Sequence, residues 1–439
     1  MTLPTKSEIA AWARKWAVAI VLVVIFFLFD RGPAMMDESW FGPKVLKELT
    51  DAQSVYRHLV TFSPLERPVS FVSVVSLSKK QLPPSAYQDA CVARQYFSEL
   101  LPRIAALLPK VIVLDLAFPK GGCVANPKAT QNLAKAVHQA AARSSVVLGL
   151  SSQTVAEAIR SHDLSEERAN LLHLQSNELI AFAHEDLGST SGLDVKEGLI
   201  RVNEDPRKIP LNWLLRPEKN GEIQGESRLR RTLALDAALA YQDSSFLREV
   251  SQRTVHPLAV FAEPTEFLTV PADCVMNANN GAFDWNGSHC RVFGTRPNPT
   301  ADMTASLGKL LRPIVIVGWI DDDKDFHKTP VGEIAGVYMQ ANFIESLTSE
   351  RVLNPFPFSG QLFLSLIFFG VIDFQFWKFE VKKAAYWVIG SSLTLLILSY
   401  IAVHNFGYYI DLWPPSIAVV TLRSIQELLK GRTDKLATA

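Results

Sequence analysis

Long apolar runs mark the two ends of this chain and leave its middle almost free of them. One covers 16–29, and three more follow Pro355, at 358–377, 384–403 and 406–422. A helix needs about 20 apolar residues to cross the hydrocarbon core of a bilayer. The 384–403 run meets this without a charge, and 358–377 meets it with one acid, Asp373. The last run is interrupted by Asp411 and by Pro414-Pro415, so it should start as irregular interfacial backbone and turn helical only after Ser416. The first run has an uncharged stretch of about 14 residues, a length that also suits the core of a signal peptide. No good small-x-small cleavage site follows it. Trp12, Arg14 and Lys15 can snorkel from its start, which favours an uncleaved anchor over a cleaved signal.

The pattern predicts four transmembrane helices, one N-terminal and three C-terminal, around a large α/β domain. The division is a cytoplasmic 1–15, a span at 16–29, an extracytoplasmic domain over 30–355, spans at 358–377, 384–403 and 406–422, and a short cytoplasmic tail over 423–439. Basic residues set the orientation. Lys6, Arg14 and Lys15 precede the first span; Lys378, Lys382 and Lys383 lie between the second and third; Arg423, Lys430, Arg432 and Lys435 follow the fourth. The turn at His404-Asn405 has no Lys or Arg. Both termini are thus expected inside a bacterial inner membrane, with the domain in the periplasm or outside.

Within 30–355 the hydrophobic period changes. VSFVSVVSL at 69–77, VIVLDLAF at 111–118, VVLGL at 146–150 and PIVIVG at 313–318 read as buried strands. Helical spacing is expected over 89–108, where Pro102 should kink or split the helix, and over 130–142, 231–240 and 338–347. Strand and helix alternating at this interval predicts a mostly parallel sheet with crossover helices. The stretch from 155 to 310 is less regular.

Composition adds two constraints. Net charge is zero and no basic patch stands out, so nothing points to nucleic acid. All four cysteines, Cys91, Cys123, Cys274 and Cys290, fall in the segment expected outside. An even set in an oxidising compartment reads as two disulfides, with three pairings open. Cys91–Cys123 and Cys274–Cys290 each close a modest loop; four buried free thiols are the alternative. No CxxC spacing supports zinc.

The end of the domain carries a recognisable set of residues. Ile314 to Gly318, Asp325, His327, Thr329-Pro330, Gly332, Gly336-Val337 and Gln340-Ala341-Asn342 resemble the signature of the CHASE2 family of extracytoplasmic sensory domains. The strand closing on Asp115-Leu116-Ala117-Phe118 is similar to the family's strand ending in Asp-x-x-Phe. Residues 198–201 (GLIR) and Pro210 match the central segment only loosely. The resemblance covers about 12–422 and implies sensing. Family members commonly continue into a cytoplasmic output module. Only about 17 residues follow Leu422 here, so output is expected to pass to a separate cytoplasmic or membrane effector.

Ligands of parallel α/β sheets sit beyond the carboxyl ends of strands. Candidate ligand contacts are Asp115, Lys120, Asp325, His327, Thr329, Gln340 and Asn342. Asp321, Asp323, Asp325 and His327 are weak candidates for a divalent cation, since oxygens and imidazole suit one. The bland alternatives are a solvated acidic loop and structural caps. Asp373 and Asp411 are intramembrane or interfacial acids and so suspects for polar contacts between helices. The chain has no GxSxG, Walker A, HExxH or GxGxxG, so no catalytic residue and no cofactor is expected. The first reading is a receptor for a small ligand or envelope component that signals through its spans, with a homodimer formed through them as one route. The second is a membrane-tethered periplasmic enzyme or envelope assembly subunit using the acidic loop.

Overall fold

The structure is a computed structural model. It describes residues 69–80, 88–277 with short breaks, 311–378 except 324, and parts of 390–410. The first expected span, Cys290, Asp411, the fourth span beyond 410 and the tail over 423–439 lie outside the described residues. The chain divides into two units, Arg67–Val352 and the remainder.

The first unit is built on six parallel strands: β1 (Val72–Leu77), β2 (Val111–Ala117), β3 (Ser145–Leu150), β4 (Val195–Leu199), β5 (Leu268–Pro271) and β6 (Ile314–Trp319). Their order across the sheet is β5-β1-β6-β2-β3-β4, every pairing parallel. The near-continuous apolar strands expected from the sequence are the four inner ones, because helices cover them on both faces. Alternation decides the side. Val75, Leu77, Ile112, Leu114, Val315 and Val317 pack with helices α1 (Ala90–Ala106) and α2 (Pro127–Ala141). Val72, Val74, Val111, Val113, Ile314 and Ile316 pack with α3 (Leu233–Tyr241) and α4 (Gly336–Thr348).

Pro102 neither splits nor ends α1, which runs through it for 17 residues. Leu100, Leu101 and Ile104 flank the proline and are fully buried. Their burial outweighs the roughly 3 kcal/mol that an interior proline costs. Asp89 caps the helix, its Oδ1 accepting from the Cys91 N–H at 2.7 Å. The Cys91–Cys123 disulfide ties α1 to the loop between β2 and α2. No described cysteine is free. The irregular middle holds a smaller sheet in which strands at Leu179–Ala181 and Arg228–Arg231 flank Asn212–Lys219.

In the second unit a helix, α5, covers Phe358–Lys378, and Asn354–Pro355 pairs in parallel with Tyr408–Tyr409. Among the described residues no helix is long and apolar enough to cross a membrane. Some side chains of α5, Asp373 among them, lie outside the described set.

Candidate functional site

The connections of the sheet part at its centre. The helices after β1 and β2 cover one face, whereas α4, which follows β6, covers the other. Since β6 lies between β1 and β2, the topology switches here, and the carboxyl ends of these three strands are where an open α/β sheet forms its ligand crevice.

Asp115 stands at this edge, where the register of β2 against β3 shifts between Leu114 and Ala117. Beside it is Gly318. A Cβ there would come within 2.7 Å of the Val337 side chain and 3.3 Å of the Asp115 Cβ. Only glycine lets the first turn of α4 lie so close. Gly336, which opens that turn, is equally constrained: both carboxylate oxygens of Asp325 occupy the place of its missing Cβ. The Gly336 N–H donates to the Asp325 carbonyl at 2.7 Å. The Asp325 carboxylate thus lies on the positive end of α4, where a helix stabilises negative charge. His327 Nε2 is 3.3 Å from Asp325 Oδ1.

Asp115 is partly buried and has no hydrogen-bond partner among the described residues. Burial, and then the nearby charge of Asp325, push its carboxyl up to about 8. Both effects favour its protonated form.

The other acids of the loop do different work. Asp321 joins the ends of β1 and β6: its Oδ2 accepts from the Ser78 hydroxyl at 2.7 Å and its Oδ1 from the Lys79 N–H at 3.0 Å. Asp322 pairs with Lys79 Nζ at 3.0 Å. Asp323 is exposed. Among the described residues no group of three His, Cys, Asp or Glu side chains is placed to hold a metal ion.

The polar candidates beyond the loop are engaged internally. Thr329 donates its hydroxyl to the Gly332 carbonyl at 2.7 Å, closing the hairpin of Phe326–Thr329 and Gly332–Ala335. Gln340 Nε2 donates to the Ile200 carbonyl at 2.9 Å. Asn342 accepts from the Ala262 N–H at 2.6 Å and donates to the carbonyls of Ala262 and Tyr338. Lys120 is exposed on the turn after β2. Arg94, 1 % exposed, supports that turn through a bond from Nη2 to the Pro119 carbonyl at 2.7 Å. Glu185 lies 3.7 Å from the guanidinium and accepts from the Gly121 N–H at 3.0 Å.

Glu345 was not among the residues expected at a site. This buried acid in the last turns of α4 accepts from the N–H groups of Ser70, Phe71 and Val72, at 2.9, 3.0 and 3.1 Å. Burial pushes its carboxyl up against the downward pull of those three bonds. Residues 70–72 lead into β1, and 349–352 lead out of α4. The two places where the chain joins this unit therefore meet at Glu345, at the end of α4 away from Asp325. Its only advance signal was an acid within the apolar run FIESL.

The family model of the CHASE2 domain matches residues 20–373. No curated protein and no solved structure matches the chain.

Proposed function

The chain belongs to the CHASE2 domain family, and on that footing we propose that it is a membrane-bound receptor whose crevice at β1, β6 and β2 reads an extracytoplasmic signal. A CHASE2 domain is an extracytoplasmic sensory domain, typically non-catalytic, and the Cys91–Cys123 disulfide fits an oxidising compartment. The observation that carries the proposal is the course of α4. The Asp325 carboxylate lies against its first turn, and its last turns make the Glu345 bonds to Ser70, Phe71 and Val72. Thirteen residues at about 1.5 Å each make a rod of about 20 Å. Nearly all of its side chains are buried, so a shift at one end is felt at the other.

From the junctions the signal passes to four transmembrane helices in the bacterial inner membrane and then to a separate effector. Two features support the embedding. The helix α5 closely matches the second expected span, and it leaves Phe363, Ile367, Val371 and Phe374 exposed along one side. Such a stripe is costly in water and at home against lipid.

Purification of the full chain and of a form lacking 423–439 from membranes tests the output. A cytoplasmic enzyme retained only by the full chain supports signalling through the tail. Identical partners for both forms contradict it.

A further inference from the structure

We propose that the turn after β2 binds a small carboxylate on Arg94, and that the Glu185 side chain keeps that place when no such ligand is bound. The inference rests on the receptor reading and names the chemical class of signal that the β2 end of the sheet would take.

It starts from a buried charge that the protein leaves short of partners. Arg94, on α1, is 1 % exposed. Burying a guanidinium is costly unless an opposite charge and acceptors for its N–H groups come with it. Here Nη2 donates to the Pro119 carbonyl at 2.7 Å, which supplies an acceptor but no charge. The acid beside it is Glu185, whose Oε1 stands 3.7 Å from Nη2, beyond hydrogen-bond reach. That same oxygen accepts from the Gly121 N–H at 3.0 Å, so the turn holds it more closely than the guanidinium does. Nη1 is buried and has no hydrogen-bond partner among the described residues. Folded proteins satisfy nearly all such groups, and a buried orphan calls for a bound species. Water would accept from Nη1 but bring no charge, whereas an anion supplies both.

The surroundings shape a place for that anion. A Cβ on Gly122 would come within 3.2 Å of Arg94 Nη2 and 3.1 Å of the Pro119 carbonyl oxygen, so glycine lets the turn close down on the guanidinium. The Cys91–Cys123 disulfide fastens the same turn to α1, close to Arg94 in the chain. Lys120, exposed on this turn, adds a second positive charge. The Glu185 side chain is 21 % exposed, so it reaches solvent and can swing aside. An incoming carboxylate then accepts from the Gly121 N–H as Glu185 did, and lies along the Nη1–Nη2 edge in the forked geometry that guanidinium and carboxylate share. The class of ligand follows from the group it displaces, which is itself a carboxylate.

Thermal unfolding of the full chain in detergent tests this, with millimolar sodium acetate or sodium succinate compared with sodium chloride at equal ionic strength. The wild type should unfold at a higher temperature as either carboxylate is added, and Arg94→Gln should show no such rise. Glu185→Gln removes the competing charge, so it should start lower and reach half of its rise at about one-tenth of the wild-type carboxylate concentration or less. A rise that persists in Arg94→Gln, as a general salt effect would, overturns the proposal. So does the absence of a rise in the wild type and in Glu185→Gln, which decides the matter where Arg94→Gln fails to fold. If neither responds while the full chain still retains its effector, this inference falls and the receptor reading stands. If the response requires Arg94 while the full chain and the form lacking 423–439 retain identical partners, output through the tail falls and carboxylate binding stands.

Discussion

Glu345 shows how much of this domain depends on single polar side chains in an apolar helix. Removing its carboxylate leaves three strand N–H groups without their acceptor. Glu345→Ala is expected to cost about 3 kcal/mol or more, and Glu345→Gln less, because an amide oxygen still accepts. Denaturant unfolding of the detergent-solubilised chain measures both. Asn342 makes the same point. Asn342→Asp would set a carboxylate against the carbonyls of Ala262 and Tyr338 and should cost about 2 kcal/mol or more by the same assay. These residues differ in how far the sequence betrays them. Asp115 and Asp325 stand at strand ends where ligands gather, so both were visible as candidates. Gln340, Asn342 and Thr329 were visible as polar residues in a signature, but folding spends them on carbonyls and N–H groups that only the tertiary structure brings near. Glu345 showed only as an acid in an apolar run, and its role was hidden because its partners lie 273 to 275 residues away in the chain.

At the level of elements, burial decided what could be read. The inner strands β1, β2, β3 and β6 are covered on both faces and declare themselves as unbroken apolar runs. The strands β4 (VKEGL) and β5 (LTVP) were missed because they are the two edges of the sheet. An edge tolerates the charges of Lys196 and Glu197 and the missing donor of Pro271. The split allowed for at Pro102 does not occur, for the opposite reason: local preference was overridden by the core on either side of it. The Cys91–Cys123 bridge was legible from compartment and loop length together. It closes a loop with a sequence separation of 32, and replacing both cysteines by serine should lower stability by about 3–4 kcal/mol. Thermal unfolding with and without reductant checks this. Because Cys274 is also disulfide-bonded, the comparison is made under one condition at a time: the double variant should unfold below the wild type without reductant, and the two should unfold alike when both are reduced.

For the whole molecule, the titration of Asp115 has a consequence of definite sign. Its folded-state pKa, about 8, is raised above the ordinary 3.8. The native state therefore holds the proton more tightly than the unfolded chain. The contribution of Asp115 to stability is fully present below the ordinary value and is lost as pH rises through about 8, by at most about 1.4 kcal/mol per pH unit. Asp115→Asn should flatten this slope in unfolding experiments run across that range. A slope unchanged by the substitution would assign it to other groups.

On the receptor reading, α4 joins the crevice to the place where the chain enters and leaves the domain. Hydrogen exchange at Ser70, Phe71 and Val72, in the full chain in nanodiscs, tests it most directly. A change at the far end, Asp115→Asn or Asp325→Asn, should alter protection of these three N–H groups together with those of the first turn of α4. Altered protection confined to the first turn, with Ser70, Phe71 and Val72 unchanged, would contradict the account.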